Sequence, residues 1–77
     1  MSEHNILTLY NAGNYLKVVR TIADSPKTAK EVASATNMQE VTIADMLEKL
    51  EGQNAAEYVD TKWKLTEIGK AVLVKFF

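Results

Sequence analysis

The chain contains no cysteine. Disulfides, thiolate nucleophiles and Cys-ligated zinc are therefore excluded by composition. A single histidine, His4, leaves nothing around which an imidazole metal cluster could be assembled. The three glycines, Gly13, Gly52 and Gly69, are too scattered to make a phosphate-cradling loop. No apolar run approaches the roughly 18 residues needed to cross a bilayer. The N-terminal MSEHNILTLYNAGNYLK has no basic region ahead of a long apolar stretch, so no secretory signal is read there. Serine, histidine and aspartate are all present, but nothing in their spacing orders a nucleophilic triad. The expectation is a non-enzymatic protein with no cofactor, no metal and no membrane partner. A cysteine-free composition also fits the cytoplasm.

A basic surplus is missing too. The net charge is −1 and the pI about 5.7, whereas a dedicated nucleic-acid binder usually carries an excess of Lys and Arg. Local clustering can override a neutral total. What is present is ordinary for a folded chain: 77 residues, 47% hydrophobic and 25% charged. That length makes one small domain, residues 1–77, with a modest core that a second subunit would help to stabilise.

The apolar spacing lays out the elements. EHNILTLYNAG, with Ile6, Leu7, Leu9 and Tyr10, reads as a short helix ending near Gly13. YLKVVRTIAD places Leu16, Val19, Ile22 and Ala23 at helical spacing and should stop at Ser25, because Pro26 disfavours helical geometry there. Thr28 and Glu31 form the T-x-x-E of a capping box at the start of TAKEVASAT, whose stripe is Ala29, Val32 and Ala33. Asn37 follows where a sharp turn is required, and asparagine tolerates positive φ better than most residues.

MQEVTIADMLEKL then carries Met38, Ile43, Leu47 and Leu50 on one stripe, with Met46 at its edge, in a helix of about residues 39–52. Beyond Gly52 and Asn54, AAEYVDTKWKL reads as a hairpin over about residues 55–65, turning at Asp60-Thr61. Alternation puts Trp63 and Leu65 on one face and Lys62 and Lys64 on the other. Thr66 caps a final helix of about residues 66–77, with Ile68, Val72, Phe76 and Phe77 apolar. Two helices joined by a tight turn and followed by a hairpin make a winged helix-turn-helix, mainly α with a small β-hairpin (α+β).

Thr28–Ala33, Leu47–Glu51 and Leu65–Lys70 carry a closer likeness. With the segments around them, roughly residues 14–74 resemble the MarR, ArsR and PadR group of winged-helix transcriptional regulators. The resemblance implies that the helix over residues 39–51 enters the major groove of duplex DNA. Its reading positions would be Gln39, Glu40, Val41, Thr42, Ala44, Asp45 and Glu48, with the hairpin as a wing on the phosphate backbone. The group usually has Ser, Thr, Arg or Lys at several of these positions. This chain has one glutamine, one threonine and three acids there.

Acids facing phosphate reverse the counterion-release contribution that drives non-specific affinity. A carboxylate can accept from cytosine N4, so one acid in the groove is workable, and three need compensation elsewhere. The cations best placed to provide it are Lys27 and Lys30, beside Thr28 at the start of the preceding helix, and Lys62 and Lys64 on the wing. The bland reading of the lysine pair is a soluble strand face with Trp63 buried beneath it. The alternative reading of the acidic helix is a docking face for a basic protein partner, with no DNA bound. The apolar ends, Ile6, Leu9 and Tyr10 against Val72, Phe76 and Phe77, either pack on each other or form a two-fold homodimer interface.

Overall fold

Five helices and one hairpin follow in chain order: α1 (Glu3–Tyr10), α2 (Tyr15–Asp24), α3 (Ala29–Thr36), α4 (Glu40–Gly52), β1 (Ala56–Val59), β2 (Lys62–Leu65) and α5 (Glu67–Phe76). This is a computed structural model, and it describes residues 3–77. The order is the one the apolar spacing predicts, and the architecture is a winged helix-turn-helix.

The caps explain where the helices begin. Thr28 is extended at the N-cap of α3; its Oγ1 accepts from the Glu31 N–H at 3.1 Å, and the Glu31 carboxylate accepts from the Thr28 N–H at 2.8 Å. Both arms of the capping box are therefore made. Thr66 caps α5 by accepting from the Gly69 N–H at 3.0 Å, and its hydroxyl donates to the Asn54 carbonyl.

The turns explain where the helices stop. Ser25 is extended ahead of Pro26 and closes α2. Asn37 takes the left-handed conformation, φ 58°, and donates its N–H back to the Ala33 carbonyl, which makes the tight turn between α3 and α4. Helix α1 ends three residues before Gly13, which adopts φ 59° in the connection to α2.

The hairpin pairs Ala56 with Leu65, Glu57 with Lys64, Tyr58 with Trp63 and Val59 with Lys62, antiparallel. Its two turn residues, Asp60 and Thr61, both have positive φ, 53° and 66°. That is the geometry of a type I′ turn, which matches the strand twist but suits Asn-Gly far better than a β-branched threonine. The sheet also has a third member that periodicity does not reveal. Lys27 exchanges two backbone hydrogen bonds with Trp63, at 2.9 and 2.6 Å, as an isolated bridge. A single residue leaves no alternation to detect, and Lys27 is thereby part of the sheet edge rather than the first turn of α3.

The core runs through all seven elements. Ile6 and Tyr10 from α1, Val18, Val19 and Ile22 from α2, Val32 from α3, Ile43, Leu47 and Leu50 from α4, Ala56 from β1, Leu65 from β2 and Val72 from α5 are buried. Each large side chain contributes about 1.5–3 kcal/mol relative to exposure. On α2 the buried stripe is Val18, Val19 and Ile22, with the predicted Leu16 and Ala23 only half-buried. Trp63 is 9% exposed and lies 4.9 Å, centroid to centroid, from the Tyr58 ring. It is a core residue, and that leaves no stacking surface for a base.

Helices α1 and α5 pack together. The Tyr10 hydroxyl donates to the Gly69 carbonyl at 2.8 Å, and its ring lies 6.0 Å from that of Phe77. Gly69 is where α5 approaches the hairpin most closely: a β-carbon there would run into the Ala55 carbonyl oxygen and the Leu65 side chain.

Candidate nucleic-acid interface

Helix α4 buries Ile43, Met46, Leu47 and Leu50. At 100° per residue the direction opposite that stripe passes through Val41, Asp45 and Glu48, spaced i, i+4, i+7. All three are exposed, and Val41 is 73% exposed. Glu40 and the half-buried Ala44 flank this line on one side, and Thr42 and Lys49 on the other. Gln39 is the extended N-cap residue, and its side chain makes no capping bond. The seven predicted reading positions therefore lie together at the start and along the outer face of one helix.

The charge on that face is partly offset within the helix. Lys49 reaches Asp45 at 3.3 Å, one turn away, and the hydrogen bond it donates to the Asp45 carboxylate raises the lysine pKa above its ordinary value. Such an exposed pair adds only a few tenths of a kcal/mol to stability. Its larger effect is to tie the one lysine of α4 to an acid. Among the described residues, no cation lies within ion-pair range of Glu40 or Glu48.

The four predicted phosphate-contacting lysines are unequal. Lys27 is held by its backbone in the bridge to Trp63, and its ammonium donates to Ser25 Oγ at 2.8 Å and lies 3.6 Å from Asp24. Lys64 pairs across the hairpin with Glu57 at 3.4 Å. Lys30 and Lys62 are exposed, with no carboxylate in ion-pair range among the described residues. Thr28 is committed to the capping box. The Glu31 carboxyl is held below its ordinary pKa, first by the Thr28 backbone N–H and also by the positive charges of Lys62 and Lys27. That links the start of α3 electrostatically to the wing. Between the two, Ser25, Pro26, Val59, Asp60, Lys62 and Lys64 line an open cleft of about 480 Å³.

Glu57 and Asp24 are the residues that sequence reasoning missed here. Glu57 was detectable in principle, since a hairpin centred on Asp60-Thr61 places it directly opposite Lys64.

The predicted dimer residues separate into two groups. Ile6, Tyr10 and Val72 lie in the core of the chain, because α1 and α5 cover each other, so they present no surface to a partner. Leu9 is half-buried, and Phe76 and Phe77 remain exposed at 45% and 40%. Helix α5 adds two exposed apolar residues that the sequence reading did not assign to an interface, Ile68 and Val74, the latter 84% exposed.

Among the described residues, no three His, Asp or Glu side chains converge to hold a metal ion, and no helix is long and apolar enough to cross a membrane.

No protein-family model matches the chain, and no curated protein matches it by sequence. Solved structures do match. The diamide-treated form of YodB from B. subtilis superposes with a TM-score of 0.83 at 23% identity, over 95% of this chain and 80% of that one. The quinone-bound form of YodB superposes with a TM-score of 0.82 at 25% identity, over 95% of this chain and 83% of that one. The helices and hairpin of this chain thus form the fold seen in YodB.

Proposed function

We propose that the chain is a DNA-binding transcriptional regulator of the MarR, ArsR and PadR type, and that it grips duplex DNA as a homodimer. The observation that carries this reading is the α3–Asn37–α4 unit with the hairpin bridged to its start. It presents a long exposed face on the second helix, and in this fold that helix ordinarily lies in the major groove. The wing would lie on the backbone, with Lys62 and Lys30, which have no carboxylate in ion-pair range among the described residues, as the main phosphate-neutralising cations and Lys27 and Lys64 as weaker ones. These lysines offset the acids of α4. Affinity should then be modest and strongly dependent on salt.

Dimerisation would use the apolar residues of the C-terminal segment that remain exposed, Ile68, Val74, Phe76 and Phe77. Light scattering over a dilution series checks this part. A monomer at every concentration removes the dimer and leaves DNA binding to a single copy.

The deciding experiment is a titration of random duplex DNA over a range of salt concentrations. Binding at low salt that weakens steeply as salt rises is the expected result. No retention of duplex even at low salt sinks the proposal. It would direct attention to α4 as a docking face for a basic protein, particularly if reversing the charges of Glu40, Asp45 and Glu48 created DNA binding where the native chain had none.

A further inference from the structure

We infer that α4 reads A·T pairs in the major groove, and that Val41 makes the selective contact, with the C5-methyl group of thymine. This rests on the DNA-binding reading above.

Val41 occupies the centre of the exposed face of α4, on the first turn, at 73% exposure. Neither helix formation nor folding explains it. A β-branched residue is a poorer helix former than alanine, and an isopropyl group in water gains nothing from burial in the chain. In the major groove the apolar partner that a base pair offers is the thymine methyl.

The surrounding chemistry points the same way. Guanine presents two acceptors, N7 and O6, and is normally taken by Arg or Lys. Helix α4 has no arginine, and its one lysine is in the last turn, held by Asp45 at 3.3 Å. The exposed neighbours of Val41 are Gln39, Glu40, Thr42, Asp45 and Glu48, and threonine can pair with any base. Carboxylates repel guanine's acceptors and can accept from the amino group of adenine or cytosine. Glutamine matches the adenine N6/N7 pair. Valine then separates the two remaining candidates, since thymine lies opposite adenine and carries the methyl that the C·G pair lacks.

The test uses three duplexes of equal length at one low salt concentration: A·T-rich, the same sequence with deoxyuridine for thymidine, and G·C-rich. The native chain is compared with Val41→Ser, and thermal melting confirms that the variant is folded. The native chain should bind the thymine duplex about four-fold more tightly than the uracil duplex for each methyl group buried, the ratio that corresponds to about 0.8 kcal/mol. The G·C-rich duplex should bind more weakly than the A·T-rich one. Val41→Ser, which offers no methyl, should bind the thymine and uracil duplexes equally. Equal affinity of the native chain for thymine and uracil duplexes overturns the inference while leaving DNA binding intact. So does a thymine preference that survives in Val41→Ser, or a native preference for the G·C-rich duplex. Failure to bind any of the three overturns the DNA-binding reading itself, and this inference with it.

Discussion

The Tyr10 hydroxyl donates to the Gly69 carbonyl oxygen across 2.8 Å, joining helices whose residues are 59 positions apart. The same glycine touches the Ala55 backbone and the Leu65 side chain through the space its missing β-carbon leaves. Three parts of the chain therefore meet at one residue: the first helix, the last helix and the base of the wing.

Removing the Tyr10 hydroxyl should cost about 1 kcal/mol at neutral pH, the usual worth of one such bond. The phenol is also pushed up to about 12 by burial, against an ordinary value near 10. Its proton is bound more tightly in the folded chain. The associated stability is complete below about pH 10 and is lost as the pH rises toward 12. Thermal melts from pH 8 to 12 should show Tyr10→Phe losing less stability than the native chain over the upper part of that range. Parallel curves would show that the phenol does not report on folding.

Gly69→Ala puts a better helix former into α5 and should still destabilise. The helix-propensity gain is about 1 kcal/mol, and a displaced backbone contact in a packed core costs about 1–3 kcal/mol or more. Because the obstruction is the Ala55 carbonyl and not a flexible side-chain tip, the upper end applies. A fall in Tm of roughly 8 °C or more is expected for a domain of this size. An unchanged Tm would mean that α5 can back away from the hairpin freely.

The wing tip should respond in the opposite direction. Thr61 sits at φ 66°, where a β-branched side chain is strained by about 1–3 kcal/mol. Thr61→Gly relieves that strain at the expense of a more flexible unfolded chain. A net rise of about 4–8 °C in Tm is expected, and a fall would show that the threonine hydroxyl, which donates to the Asp60 carbonyl, outweighs the strain.

Acid should loosen the start of α3. The Glu31 carboxyl is held below its ordinary value, chiefly by the Thr28 N–H. The folded chain therefore binds that proton less tightly than the unfolded one. The contribution is present above the unfolded-state value of about 4.3 and disappears as the pH falls through the lower folded-state value. Glu31→Gln keeps an acceptor for the Thr28 N–H but has no proton to take up. Its Tm should fall less than that of the native chain between pH 5 and 3. Thr28→Ala, which removes the other arm of the cap, should cost about 1 kcal/mol at any pH.

If the wing meets phosphate, its two lysines should not count equally. Lys62→Ala should reduce the dependence of log Kd on log salt by about one unit. Lys64→Ala should change it less, because Glu57 already neutralises that charge at 3.4 Å. Glu57→Gln should strengthen binding. Equal effects of the two lysine substitutions would show that the Glu57 pair opens on DNA.

Much of this arrangement could be read from the residues, because it is encoded locally. Thr28 with Glu31, Thr66 at the start of α5 and Asn37 in its turn each act over three or four positions, and each takes its predicted place. The alternation of Lys62, Trp63, Lys64 and Leu65 is likewise a property of one strand. What could not be read depends on which segments meet. Tyr10 and Val72 looked equally suited to a partner or to each other, and only the packing of α1 on α5 places them in the core. Lys27 has no sequence signature as a sheet residue, since its pairing is with one distant tryptophan. On the face of α4, the seven reading positions follow from the family resemblance, and what the structure adds is the 73% exposure of Val41 at its centre.

The bridge between Lys27 and Trp63 has a mechanical meaning. A hairpin linked only at its base can sway independently of the helices. This one is stitched through its second strand to the residue that immediately precedes the Thr28 cap. A push on the wing tip is therefore delivered to the root of α3, and from there through Asn37 to α4. The hairpin and α4 are thus joined by one continuous path of backbone contacts, and a substitution at either end should be felt at the other.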